Sequence, residues 1–99
     1  MRPRRIKLTE AFHRAFRALP TEEDRQAVIR AIEHVIDRSA ENALRVERKV
    51  GLEIWAFRVT RGMRAFFVSK KDDQGRYDEI FHVGPHDDYR TVKRRRPTR

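Results

Sequence analysis

The spacing of apolar residues changes partway along this chain, and that change constrains the fold more than any other feature. Between residues 9 and 38, apolar side chains such as Phe12, Phe16 and Val28 recur every three or four positions, as on one face of a helix. From residue 44 onward they alternate with a period of two, which is typical of strands. Helices followed by strands predict an α+β fold.

Two helices are predicted in the first part. Thr9 is placed to cap a helix that runs through Ala18, and Pro20 ends it. Thr21 then caps a second helix, which continues to about Arg38. The tight connection predicts a pair of antiparallel helices.

The second part predicts strands joined by short turns. With a first strand at residues 5–8, the predicted strands lie at 5–8, near 44–46, and at 54–59, 63–68 and 77–83. Lys71 to Gly75 is predicted as a loop, and Gly84-Pro85 as a turn that ends the last strand. The order is β-α-α-β-β-β-β, a helical hairpin packed on one face of an antiparallel β-sheet. The other face is expected to be open and to carry Arg58 and Arg64.

The size and composition exclude several classes of protein. A chain of 99 residues and 11.9 kDa has room for one modest core. It has no cysteine, so packing must hold the fold without disulfides or thiolate metal sites. No stretch approaches the ~20 apolar residues of a membrane span. We therefore expect a cytoplasmic protein that makes no membrane contact.

The net charge of +9 is concentrated at the ends of the chain and in its middle strands. Residues 1–7 and 90–99 contain ten arginines and lysines and no acid, and residues 45–76 carry a further +5. Such blocks favour contact with a polyanion or an acidic partner protein, although ordinary solvated ends have the same composition.

Three short segments together resemble a known family. The strand "IWAFRV" (54–59), the segment "RGMRAFFV" (61–68) and the ending "FHVGPHDDYR" (81–90) follow a helical hairpin. This arrangement is similar to the RelE/ParE superfamily of bacterial toxins and extends over roughly residues 5–90. The resemblance implies one RelE-like domain at residues 1–90 and a basic C-terminal tail at 91–99.

The resemblance also implies an activity. RelE-like members are metal-independent ribonucleases, many of which cut mRNA on the ribosome, and ParE-like members inhibit DNA gyrase. Arg64 matches the family's arginine that contacts the scissile phosphate, and Arg58 matches a basic residue on the preceding strand. His86 and Tyr89 match the family's terminal acid/base and aromatic groups. Ala56 stands where some members have a lysine.

Metal-independent RNA cleavage needs a proton acceptor, a proton donor and cations around the phosphate. A histidine suits either proton role because its ordinary pKa is near 6.5, and His86 has a fitting position. Arg58 and Arg64 are expected to bind phosphate oxygens. Tyr89 is expected to stack on a base or to donate a hydrogen bond to phosphate. The remaining nucleic-acid contacts are expected from Arg61, Arg90, Lys93 and Arg94.

Each of these residues also has a structural interpretation. His86 could be a turn histidine bonded to a neighbouring aspartate, and Tyr89 could pack at the rim of the last strand. The two strand arginines could pair with Glu53 or Glu79 across the sheet.

Two hypotheses follow from the residues and the resemblance. The first is an endoribonuclease toxin that needs no cofactor or metal and is neutralised by a cognate antitoxin. The second is a non-catalytic binding module on the same fold, directed at gyrase or at RNA. Ala56 and the lack of a matching glutamate favour the second.

Overall fold

The computed structural model describes residues 5–37, 46–49 and 54–85. Within these ranges the element order is the predicted one. The elements are β1 (Ile6–Leu8), α1 (Glu10–Arg17), α2 (Glu22–Asp37), β2 (Val46–Lys49), β3 (Ile54–Thr60), β4 (Met63–Asp72) and β5 (Gly75–Pro85). The α+β prediction is confirmed. The residues predicted for the site that lie outside the described residues are His86, Tyr89, Arg90, Lys93 and Arg94, and the alternative partner Glu53 and the tail at 91–99 lie outside them too.

Side-chain caps start both helices where the sequence predicts. The hydroxyl of Thr9 accepts a hydrogen bond of 3.0 Å from the backbone N–H of Phe12. The hydroxyl of Thr21 accepts one of 3.0 Å from the N–H of Asp24. Each bond satisfies a donor that the first turn of a helix leaves without a partner. The caps fix the ends of the helical hairpin that covers the sheet.

The five strands form one sheet in the order β1-β5-β4-β3-β2. Strands β2 to β5 pair antiparallel, as predicted. The β1 strand instead pairs parallel with β5, so the sheet is mixed rather than purely antiparallel. The two helices that follow β1 carry the chain away from the sheet, and this separation permits the parallel pairing.

The last two strands are longer than the sequence predicts. The predicted loop from Lys71 to Gly75 is a turn of two residues, because β4 continues to Asp72, which pairs with Gly75. The φ angle of Gly75 is +112°, a conformation that side chains strongly disfavour, so glycine suits this position.

The predicted turn at Gly84-Pro85 is also wrong. Both residues belong to β5, where Gly84 pairs with Arg64 and Pro85 with Met63. Proline has no N–H to donate, but the end of a strand tolerates it. The last strand therefore reaches the tip of the β3–β4 hairpin.

The main core lies between the helices and the sheet. It contains Phe12, Val28, Ala31, Val35, Phe57, Met63, Ala65, Phe67, Ile80 and Val83. Phe12 and Phe16 of α1 stack with ring centroids 5.8 Å apart. Neither helix in the described part of the chain has the length and apolar character needed to cross a bilayer.

A second cluster of buried apolar side chains lies on the other face of the sheet. It consists of Ile54, Ala56, Phe66 and Phe81, each at most 1% exposed. These residues alternate along β3 and β4 with those that face the helices, so they point away from the helices. We expected this face to be open. That expectation is wrong for the centre of the face, which is apolar and buried.

Candidate nucleic-acid interface

Two arginines lie directly opposite each other where β3 and β4 approach their hairpin turn. Arg58 of β3 pairs in register with Arg64 of β4. Their sequence neighbours Phe57 and Ala65 belong to the main core, so both arginines lie on the face away from the helices. We call Arg58 and Arg64 the arginine row. On β5 the row continues to Gly84, the partner of Arg64.

Two irregularities in strand pairing determine the neighbours of Arg64 on β3 and on β5. In β3 the register shifts between Arg58 and Thr60, and in β5 it shifts across Phe81. An extra residue in one strand moves every later side chain to the opposite face relative to its partner strand. Without the shift in β3, Arg58 would lie opposite Ala65 instead of Arg64.

Arg64 is held by the hairpin. Its side chain is largely buried, and the residue is 8% exposed. Its Nη1 donates to the carbonyl oxygens of Thr60 at 2.9 Å, Arg61 at 3.2 Å and Met63 at 3.1 Å. The residue predicted to contact a phosphate therefore has a structural role at the hairpin tip.

Arg58 is in a different situation. The residue is partly exposed, and its Nε atom is buried with no hydrogen-bond partner among the described residues. The alternative partner Glu79 binds Lys70 instead, at 2.8 Å. Directly opposite side chains of a strand pair have Cβ atoms about 4.5–5.5 Å apart, so the pairing brings two positively charged side chains close together.

Arg61 occupies the turn between β3 and β4 and is exposed. Together with Arg58 and Arg64 it gives the hairpin end of the sheet three positive charges within seven residues. Such a cluster can bind the phosphate groups of a nucleic acid.

His82 lies one step further along the same face, and sequence reasoning did not assign it to the site. It pairs with Phe66, and the two rings are 5.7 Å apart between centroids. The residue is 5% exposed. Diagonal neighbours in an antiparallel pair are about 7–8 Å apart, which places His82 near Arg64. Only knowledge of the register shift at Phe81 could have placed it on this face.

A second group of charges lies at the opposite end of the sheet. Arg5 donates two hydrogen bonds to the carboxylate of Asp72, at 3.0 and 2.7 Å, and Lys7 is 3.5 Å from it. Lys7 also lies 4.2 Å from the centroid of the Tyr77 ring. This group connects β1 to the β4–β5 hairpin by side chains.

The hydrogen bonds from Arg5, and then that from the N–H of Gln74, hold the pKa of Asp72 well below its ordinary range. A carboxyl group whose pKa is lower in the folded state stabilises the fold above its unfolded pKa, near 3.9, and loses that effect as the pH falls. We expect Asp72→Asn to be less stable than the wild type at pH 7. The difference should shrink below about pH 4. Urea unfolding of both proteins from pH 7 to pH 2.5 would measure the difference in their free energies of unfolding. A difference that does not change with pH would contradict the stabilising role of the Asp72 carboxylate.

Comparisons with known proteins support the fold. No family model matches the chain, and no curated protein does. Several solved structures do, and two of them serve as examples. One is the RelBE2 toxin–antitoxin complex of Mycobacterium tuberculosis, with 18% identity, a TM-score of 0.55, and 87% of this chain and 94% of that chain covered. The other is the RelE–RelB complex of Pyrococcus horikoshii, with 14% identity, a TM-score of 0.53, and 86% and 97% covered. This chain has the RelE-like α+β fold.

Proposed function

We propose that this chain is the toxin of a type II toxin–antitoxin pair, and that it cuts mRNA at the ribosome without a metal ion. The observation that carries the proposal is the arginine row, in which Arg58 and Arg64 face each other on neighbouring strands of a RelE-like fold. The positive charge gathered at this end of the face makes a site that favours a phosphate group.

The chemistry assigns a role to each predicted residue. The 2′-hydroxyl of the RNA attacks the adjacent phosphorus, and the bond to the 5′-oxygen breaks, which leaves a 2′,3′-cyclic phosphate and a 5′-hydroxyl. His86 would transfer a proton in this step. Arg58 would stabilise the negative charge that develops on the phosphate oxygens, in the position that the β3–β4 hairpin gives it. Tyr89 would position a base or the phosphate, and Arg61, Arg90, Lys93 and Arg94 would bind the RNA backbone.

The partner that controls such a toxin would be an antitoxin with an acidic segment. Both similar structures are complexes of a RelE toxin with its antitoxin. The net charge of +9 and the exposed guanidinium of Arg61 near Arg58 both favour an acidic segment on this surface. A carboxylate placed in the arginine row would occupy the position of the phosphate and block cleavage.

A second candidate function is a non-catalytic toxin or binding module on the same fold, directed at DNA gyrase or at RNA. Two observations favour it. Nη1 of Arg64 is bonded to backbone carbonyls, and Ala56, where some RelE-like proteins have a lysine, is completely buried. The site is therefore less cationic than the chemistry of cleavage would prefer.

Inducible expression in bacteria would separate the two candidates. We expect wild-type protein to arrest growth and to produce new mRNA 5′ ends within reading frames, and His86→Gln to produce few of them. His34→Gln is the matched control, because His34 is exposed on α2, away from the sheet. Growth arrest with unchanged transcripts and stalled replication would favour the gyrase-directed alternative and reject cleavage.

A further inference from the structure

The tip of the β3–β4 hairpin has more carbonyl groups than its strand pairing can use. The register shift between Arg58 and Thr60 and the turn at Arg61-Gly62 interrupt the regular ladder of hydrogen bonds. Backbone carbonyls near such a break need another donor if they are shielded from water. Arg64 supplies that donor.

One nitrogen atom of Arg64 serves three of these carbonyls. Nη1 donates to Thr60, Arg61 and Met63, at distances from 2.9 to 3.2 Å. A guanidinium binds a phosphate through both Nη atoms or through Nε and one Nη atom. While Nη1 is directed at the hairpin, Arg64 cannot use the first geometry, and because the residue is only 8% exposed, its other edge has little access to a phosphate from solvent.

Arg58 and Arg61 are better placed to meet an anion. Arg61 is exposed at the tip, and Arg58 is partly exposed and forms no ion pair with any carboxylate in the described ranges. The positions of both depend on the geometry of the tip, because Arg58 precedes the register shift and Arg61 lies in the turn.

We propose that Arg64 is a positioning residue that braces the hairpin tip, and that Arg58 and Arg61 make the phosphate contacts. The assignment of the phosphate contacts rests on the proposed RNA-directed function, whereas the brace is a property of the free protein. Two experiments therefore test the two parts separately.

Hydrogen exchange on the free protein tests the brace. In Arg64→Gln the backbone amides of residues 61–63 should exchange about tenfold faster, because the tip loses charge-assisted hydrogen bonds. Arg64→Lys should restore most of the protection, since an ammonium group also donates to carbonyls. Arg58→Gln, which removes no bond to the tip, should exchange like the wild type. Unchanged exchange at the tip in Arg64→Gln would overturn the brace.

Salt-dependent binding tests the division of roles. The probe is a short single-stranded RNA with 2′-O-methyl groups, which cannot be cleaved by attack of the 2′-oxygen. Losing one phosphate contact lowers the slope of log affinity against log salt by about 0.7. We expect that reduction for Arg58→Gln and for Arg61→Gln. Arg64→Gln should bind severalfold more weakly with an unchanged slope, and Arg64→Lys should recover affinity.

The outcomes are distinguishable. A slope in Arg64→Gln reduced as much as in Arg58→Gln would make Arg64 a direct contact and overturn the proposal. The thermal unfolding midpoint of each variant is measured first, and binding is measured well below the lowest of these temperatures. Weaker binding then reports a displaced hairpin tip and not an unfolded protein. If the wild type binds no RNA, the proposed function fails, along with the assignment of Arg58 and Arg61, while the exchange experiment still decides the brace.

Discussion

Replacing Arg58 with glutamine should slow RNA cleavage about 10²–10³-fold and leave the fold intact. The magnitude is that expected when one preorganised donor to a developing negative charge is removed. The fold should survive because Arg58 is partly exposed and its buried Nε has no hydrogen-bond partner among the residues described. Single-turnover cleavage of an mRNA on purified ribosomes would measure the rate.

A lysine variant shows whether the charge of Arg58 or the planar shape of its guanidinium group sets the cleavage rate, and a variant of Arg76 is the control. Arg58→Lys keeps the positive charge and loses the planar fork, so its rate should fall between those of the wild type and Arg58→Gln. Arg76→Gln removes an exposed arginine near the other end of the sheet and should cleave like the wild type. A rate for Arg58→Gln within twofold of the wild type would exclude Arg58 from the site.

Replacing Phe66 with alanine should destabilise the protein by about 3–5 kcal/mol, the usual cost of removing a fully buried phenylalanine. Phe66 is 0% exposed and packs with Ile54, Ala56 and Phe81 on the face away from the helices. Phe57→Ala, on the helix side, should cost a similar amount, since Phe57 is 1% exposed. Urea unfolding would measure both.

Small domains are stable by only about 5–15 kcal/mol, so the loss expected for Phe66→Ala is a large part of the total free energy of unfolding. If Phe66→Ala does not fold, Phe66→Leu keeps most of the apolar volume and should lose less than about 1.5 kcal/mol. A loss below about 1 kcal/mol for Phe66→Ala would mean that this face is open, as we expected from the sequence.

The helices were predictable from local chemistry. Thr9 and Thr21 accept hydrogen bonds from the N–H groups of Phe12 and Asp24, three residues further on, as the capping pattern predicts. Such signals depend only on neighbouring residues, so they can be recognised without knowledge of the sheet.

The burial of the second face has a signal in the sequence of β3. Ile54 and Ala56 alternate with Trp55 and Phe57, so β3 has apolar residues on both faces. Strands of this kind are usually covered on both sides. Arg58 and Arg64 lie at one end of the strands, so their charge says little about the centre of the face, which Ile54, Ala56 and Phe66 make apolar.

The arrangement of the site was beyond prediction because it depends on strand register. A two-residue turn at Asp73-Gln74 without a register shift would place Arg64 opposite Val83 and turn His82 toward the helices. The extra residue at Phe81 instead places Gly84 beside Arg64 and His82 on the same face. Bulges of this kind leave little trace in the apolar pattern of a single strand.

The central proposal is that Arg58, at the β3–β4 hairpin, acts on an RNA phosphate without a metal ion. The most direct measurement is the cleavage of ribosome-bound mRNA by purified protein. A chelator removes transition metals but leaves the magnesium that the ribosome needs, and the chemical groups at the new RNA ends are then identified. We expect cleavage to persist with the chelator, to produce 2′,3′-cyclic phosphate and 5′-hydroxyl ends, and to be nearly lost in Arg58→Gln. Wild-type protein that leaves the mRNA intact, or a variant that cleaves as fast as the wild type, would contradict it.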